Sequence, residues 1–342
     1  MPTSKIKGEI DMKKILLVLL AVLLLSGCTS QIETPVNEEI ENSDSYYPVT
    51  ITTYNFAKEP IEVTFDKAPE KVFAVYQNSI ETLLALGLED YIVAAAGLDQ
   101  DVKPEYQDGF NKINYLTEFT PDKETVLMSQ PDLILSWYSY FSEKNLGDVD
   151  FFHERNINTY IMQNSGAAAK QSLENEYTDI LNLGKIFNVQ EKAEEIVAQM
   201  KTKVETISSE AKKMDNSSRV LVMEFEKEGV RVYGENTLGG DMVKQLGAEL
   251  VTANENKMSN EEFIQSNPEV IFTVYFGSSS SIADADAAID KVVNDPRYQS
   301  LSAVQNNRVY AISLGEMYCS GTRTLDGILR LANGIYPEMD FE

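Results

Sequence analysis

The chain has 342 residues, 29 basic against 54 acidic side chains, a formal net charge of -25 and 43% hydrophobic content. That describes a globular protein of about two domains at roughly 150 residues each, and it excludes a nucleic-acid surface, which needs clustered Lys and Arg to displace counterions. A single histidine in the whole chain removes most zinc, haem and Ser-His-Asp or Cys-His chemistry from consideration.

Lys13 and Lys14 precede an apolar run from Ile15 to Leu25, too short for a stable bilayer span but fitting a signal-peptide core. The run ends in Leu25-Ser26-Gly27-Cys28, which resembles a bacterial lipobox whose cysteine thiol receives diacylglycerol. Residues 1–27 are therefore expected to be a removed lipoprotein signal peptide, with lipidated Cys28 anchoring the chain at the outer face of the cytoplasmic membrane. Glu9 and Asp11 suit an n-region poorly, and a start at Met12 would leave the same mature chain. With Cys28 lipidated, Cys319 has no intramolecular disulfide partner, and it is expected to be a small buried side chain rather than a reactive thiol. Residues 28–48 are polar and acidic and read as a flexible tether.

From Val49 the pattern becomes periodic. Val49–Thr52 and Ile61–Phe65 alternate like a hairpin, and βαβ spacing follows: strand Lys71–Tyr76, helix Ser79–Leu86, strand Tyr91–Ala96, helix Asp122–Ser129, strand Asp132–Ser136, helix near Asp148–Asn156, strand Thr159–Gln163. Between Gln171 and Met214 the repeat Val189, Ala193, Ile196, Met200, Val204, Ile207, Ala211 predicts one long amphipathic helix. Strands Arg219–Phe225 and Gly229–Tyr233, helices Gly239–Leu246 and Asn260–Gln265, and strand Val270–Tyr275 come next, then strand Arg308–Ile312 and helix Thr324–Ile335. An N-terminal α/β lobe over 49–170 and a C-terminal one over 215–342 are thus expected, joined by the helical segment 171–214. Glu124-Thr-Val-Leu-Met-Ser-Gln-Pro131-Asp-Leu-Ile-Leu and Glu261-Glu-Phe-Ile-Gln-Ser-Asn-Pro268-Glu-Val-Ile-Phe repeat one design in the two lobes: a helix opening with Glu, stopped at Pro, before a buried strand.

With Ala68-Pro-Glu-Lys-Val-Phe-Ala-Val, Glu81-Thr-Leu-Leu-Ala-Leu-Gly87, Gln130-Pro-Asp-Leu-Ile, Asn267-Pro-Glu-Val-Ile, Asp295-Pro-Arg-Tyr through Arg308-Val-Tyr310, and Ile335-Tyr336-Pro337, the chain resembles class III substrate-binding proteins of ABC importers. That family captures iron-siderophores, haem and cobalamin. The resemblance covers nearly all of Val49 to Pro337 and rests on the order and spacing of these blocks. It implies an α/β, bilobed periplasmic-binding-protein-like fold, two sheet-containing lobes joined by a long rigid helix with a ligand cleft between them. It also implies that Glu124 and Glu261 form salt bridges with arginines of a permease working with its ATPase. No catalytic residue and no resident metal or cofactor are expected, iron being bound only within a ligand chelate, and the chain is expected to be a monomer.

Open α/β sheets bind ligands beyond the carboxyl ends of their strands. The loops there make Tyr76, Gln77, Asn78, Trp137 and Tyr138 of the first lobe, and Tyr233, Tyr275, Tyr318 and Arg323 of the second, the candidate ligand contacts. Aromatic faces and phenols suit a bulky chelate of mixed polarity; Arg323, with Arg231 as competitor, is the candidate donor to an anionic group. The scarcity of basic residues in these loops favours a hydroxamate-type ferric siderophore over a highly charged catecholate. Cobalamin or haem bound by the same fold, with Tyr or Met317 as iron ligand, and a receptor-type ligand-sensing lipoprotein are the alternatives. His153 reads as a satisfied helix residue. An enzyme is not expected, since neither a Gly-x-Ser-x-Gly elbow nor a phosphate-binding Gly-rich loop is present.

Overall fold

The computed structural model describes residues 46–214, 217–339 and 341; the signal peptide, Cys28 and the tether up to residue 45 lie outside the described residues. The last tether positions are docked: the Tyr46 hydroxyl donates to Lys185 O at 2.8 Å and that of Tyr47 to Ile186 O at 2.7 Å.

Strands β1 (Val49–Tyr54) and β2 (Pro60–Phe65) form the antiparallel hairpin, in register from Val49 opposite Phe65 to Tyr54 opposite Pro60. Alternation sets its faces: Ile51, Val63 and Phe65 point inward, while Thr50 faces Thr64 across the outer side with hydroxyls 2.8 Å apart. Strands β3 (Val72–Val75), β4 (Ile92–Ala96), β5 (Leu133–Ser136) and β6 (Asn158–Ile161) make a parallel sheet in the order β4-β3-β5-β6. Every residue of β3 and β5 is buried, the mark of strands covered on both faces. The hairpin lies beside β6, whose Ile161 N–H donates to Thr53 Oγ1 at 2.9 Å.

The second sheet contains β7 (Arg219–Phe225), β8 (Val230–Val232), β9 (Glu249–Leu250), β10 (Lys257–Met258), β11 (Val270–Tyr275) and β12 (Val309–Ser313). Its order is β10-β8-β7-β11-β12, with β9 beside β7; β8 runs antiparallel to both its neighbours, β7 and β10, and the other pairings are parallel. The crossover from β11 to β12 contains a helix absent from the sequence reading, Ile282–Val293, whose cap Ser281 accepts from Asp284 N.

The internal repeat has a structural meaning in both lobes. Gln130 (φ 49) and Asn267 (φ 39) take left-handed conformations immediately before their prolines and stop their helices there. The acid after each proline then holds the neighbouring strand: Asp132 accepts from the Glu70 and Lys71 N–H groups, and Glu269 from that of Arg219. Glu124 and Glu261 occupy the first turns of Lys123–Met128 and Asn260–Ser266, capped by Asp122 and by a Ser259–Glu262 capping box.

The helical segment corrects one expectation. Instead of one helix it is two, Leu173–Ile186 and Gln190–Ala211, the second being the long linker of 22 residues. The repeat from Val189 to Ala211 follows the second helix from its N-cap to its last residue and leaves out the first; between them the chain turns at Asn188, which has a left-handed φ of 56. The two helices meet at Gly184, where a Cβ would lie 2.5 Å from that of Ala193. Gly184→Ala should therefore cost about 1–3 kcal/mol of stability by overpacking, read as a lower urea midpoint; an unchanged midpoint would mean that the helices can separate freely.

Candidate functional site

The carboxyl ends of both sheets converge on a cavity of about 290 Å³. The turns after β3, β4 and β5 supply Gln77, Asn78, Asp99, Gln100 and Trp137, and the turns after β11 and β12 supply Phe276, Gly277, Leu314 and Gly315, with Tyr318 and Cys319 farther along the latter. A larger groove of about 540 Å³, lined by Tyr310, Asp326 and Arg330, runs along edge strand β12 away from these strand ends.

Of the nine expected contacts, Gln77, Asn78, Trp137 and Tyr318 line the cavity. Trp137 Nε1 donates to Asn78 Oδ1 at 2.7 Å, Asn78 Nδ2 donates to Cys319 Sγ at 3.2 Å, and the Trp137 and Tyr318 rings meet edge-on at 5.7 Å. The last two of these contacts cross from one lobe to the other. Tyr76 lies behind them: its ring centroid is 4.8 Å from that of Trp137, its φ of 74 is rare for a bulky residue, and desolvation raises its hydroxyl pKa.

The other four expected contacts face elsewhere. The Tyr138 ring stacks on Phe56 with Lys58 Nζ 4.5 Å from its centroid, towards the hairpin. Tyr233 is buried and its hydroxyl donates to Glu224 at 2.9 Å, with the Arg231 guanidinium 5.2 Å from its ring and paired to the same Glu224. The buried Tyr275 hydroxyl turns back to the Ser278 and Ser279 carbonyls. Arg323, 3% exposed, is committed to the protein: it forms a bidentate pair with Glu81 and also donates to Gln100 Oε1, Ser279 Oγ and Asp101 O. All five of its N–H groups are thereby used.

The sequence reading did not single out Gln100, Gly277, Leu314 or Gly315. Leu314 and Gly315 follow β12, whose end fell one residue beyond the predicted Ile312; the rule that loops after strands bind ligands would have reached them. Asp99 sits at the exposed mouth, where desolvation raises its carboxyl pKa. His153 is half-buried and bonded to Thr159 Oγ1 at 2.9 Å, and burial lowers its pKa.

The second-lobe wall of the cavity is held from below. Glu176, fully buried on helix Leu173–Ile186, accepts from Ser320 N at 3.0 Å, Gly321 N at 2.7 Å and Asn164 Nδ2 at 2.7 Å. Three residues on, Asp179 accepts from the Tyr160 hydroxyl and from the backbone and side chain of Gln163. Burial without a cation raises their pKa values from 4.5 to about 7 for Glu176, which its donors restrain, and from 3.8 to about 8 for Asp179, to which the Glu176 charge adds. The Cys319 thiol is pushed up by the same burial and the same two acids.

A family model described as periplasmic binding protein matches residues 72–313, and one described as prokaryotic membrane lipoprotein lipid attachment site matches residues 12–29. The chain is 24% identical over 331 residues to an uncharacterized ABC transporter substrate-binding lipoprotein, YvrC, of Bacillus subtilis (strain 168), covering 94% of this chain and 96% of that relative. It is 24% identical over 324 residues to petrobactin-binding protein YclQ of the same organism, covering 91% and 94%. The crystal structure of a periplasmic binding protein from Veillonella parvula DSM 2008 matches at 34% identity with a TM-score of 0.78, over 85% of this chain and 92% of that one.

Both buried acids bind protons more tightly folded than unfolded, so their contribution to stability is fully present below pH 4 and is lost as pH rises through 7 and 8. The thermal midpoint should fall across this range, and Glu176→Gln should remove about 2–4 °C of that fall. Equal pH profiles for the two proteins would show that Glu176 does not titrate there.

Proposed function

The chain belongs to the periplasmic binding protein family, and on that premise we propose that its cleft captures a ferric siderophore of the hydroxamate type and delivers it to an ABC permease. As a lipoprotein anchored through Cys28 it works at the outer face of the cytoplasmic membrane, where the permease is met. The observation that carries the ligand reading is the character of the cavity. It offers the rings of Trp137, Phe276 and Tyr318 and several neutral hydrogen-bonding groups, whereas Arg323, the buried cation beneath it, is saturated by protein acceptors. A ferric tricatecholate carries three negative charges and would need free cations; three hydroxamates neutralise ferric iron and need none. The relative YclQ, named for binding petrobactin, supports a siderophore as the ligand class.

Glu124 and Glu261 are exposed, and neither takes part in an ion pair among the described residues. Their matched first-turn positions support the docking role, in which weak exposed pairs set register rather than affinity.

The chain has one tryptophan, so ligand entry is read directly from Trp137. Ferrioxamine should quench its emission saturably, with weaker binding of ferric catecholate; preferential binding of catecholate, haem or cobalamin would overturn the hydroxamate assignment. Glu124→Lys and Glu261→Lys should each lower cellular uptake while leaving the Kd of the purified protein unchanged. A changed Kd would remove the docking role.

A further inference from the structure

The buried polar groups lining the cavity are unequal: donors are left over and acceptors are not, the one carboxylate of the lining, Asp99, lying exposed at the mouth. Helix Gln77–Ala85 points its first turn at the cavity, has no side-chain cap from Tyr76 and carries no acid in that turn. Among the described residues the backbone N–H groups of Gln77, Asn78 and Ser79 meet no protein acceptor, leaving the partial positive charge of a helix N-terminus unanswered. Gln77 is 5% exposed; its Oε1 accepts from Gln100 N at 3.3 Å, while its Nε2 has no partner. Gln100 is 9% exposed, and its amide cannot be turned round. Its Oε1 is fixed by two donors, Arg323 at 3.0 Å and Ser279 N at 2.9 Å. Gln100 Nε2 is therefore left as a donor, beside Gly315, where a Cβ would collide with it. The remaining buried polar side chain of the lining is occupied: Asn78 Oδ1 by Trp137, and Asn78 Nδ2 by Cys319.

A buried donor without an acceptor costs free energy in the empty protein and returns it when a ligand supplies an oxygen. We propose that Gln77 Nε2, Gln100 Nε2 and the uncapped first turn of helix Gln77–Ala85 form one donor subsite that reads the carbonyl oxygens of an electrically neutral chelate. The proposal rests on the siderophore reading above and adds the residues that select the ligand. Neutrality follows from the charges present: about half a unit of positive charge at the helix end suits partly negative oxygens. It does not offset a trianion next to Asp99 in a chain of net charge -25.

The test uses ferrioxamine E, a neutral ferric trihydroxamate, and a ferric tricatecholate against the lipid-free protein beginning at Thr29. Gln77→Leu removes the donor at similar volume, and Gln77→Glu replaces it with an oxygen. Gln77→Leu also gives up the Oε1 bond from Gln100 N and Gln77→Glu buries a carboxylate, so both midpoints should fall by a few degrees, and each Kd is read well below the midpoint, where circular dichroism shows the variant folded. The Kd for ferrioxamine E should rise about tenfold in Gln77→Leu, the size of one hydrogen bond lost in a dry site, and further in Gln77→Glu. Wild-type affinity in both variants would overturn the donor subsite while leaving the siderophore reading intact. Tighter wild-type binding of the tricatecholate would overturn neutrality, and failure of the wild type to bind either chelate would overturn the siderophore reading and this inference together.

Discussion

Arg323 carries a full positive charge into the protein interior, and the groups gathered around it decide what the cleft can do. Taking an ion out of water costs several kcal/mol, which is recovered only with good geometry and complete hydrogen bonding. Here Glu81 supplies the opposite charge in a bidentate pair, and Gln100, Ser279 and Asp101 fill the remaining donor positions. These partners come from the first helix, the turn after β4 and the turn after β11, so one side chain fastens both lobes beneath the cavity. It also fixes the Gln100 amide, and the orientation of the cavity floor follows from it.

A second buried ionisable group, Glu176, acts in the complementary sense. Glu176 has no cation beside it and is held by backbone and amide N–H groups of the loop carrying Tyr318 and Cys319 and of Asn164. Arg323 thus gathers acceptors and Glu176 donors, each from both lobes. The loop between Tyr318 and Arg323 is set by both, which accounts for the left-handed backbone at Cys319 (φ 45) and Gly321 (φ 55).

The alternating hairpin, the buried parallel strands and the two Glu-to-Pro blocks were readable because hydrophobic period and proline act locally. The helix Leu173–Ile186 was not separated from the linker because the repeat that stood out, Val189 to Ala211, belongs to the linker alone. Strand-end reasoning found Asn78 and Trp137, but it cannot tell which way a side chain turns after its strand. Tyr233 bends back to Glu224 and Tyr275 to its own loop, and only packing decides that. Gln100 lay in no motif; its importance comes from a partner 223 residues away. Arg323 was noticed for its charge, yet nothing local shows that Glu81 already claims it.

The bonds crossing the cleft have a consequence for recognition of the loaded state. Asn78 reaches Cys319, Trp137 touches Tyr318, and Arg323 spans from Glu81 to Ser279, all through the protein's own side chains. A cleft already laced together changes little in outline when it fills, so lobe movement offers a partner only a faint signal of occupancy. The clearer signal is at the mouth, beside exposed Phe276, where the cargo's own surface would replace water, letting a transporter distinguish a full carrier from an empty one by touching what it carries.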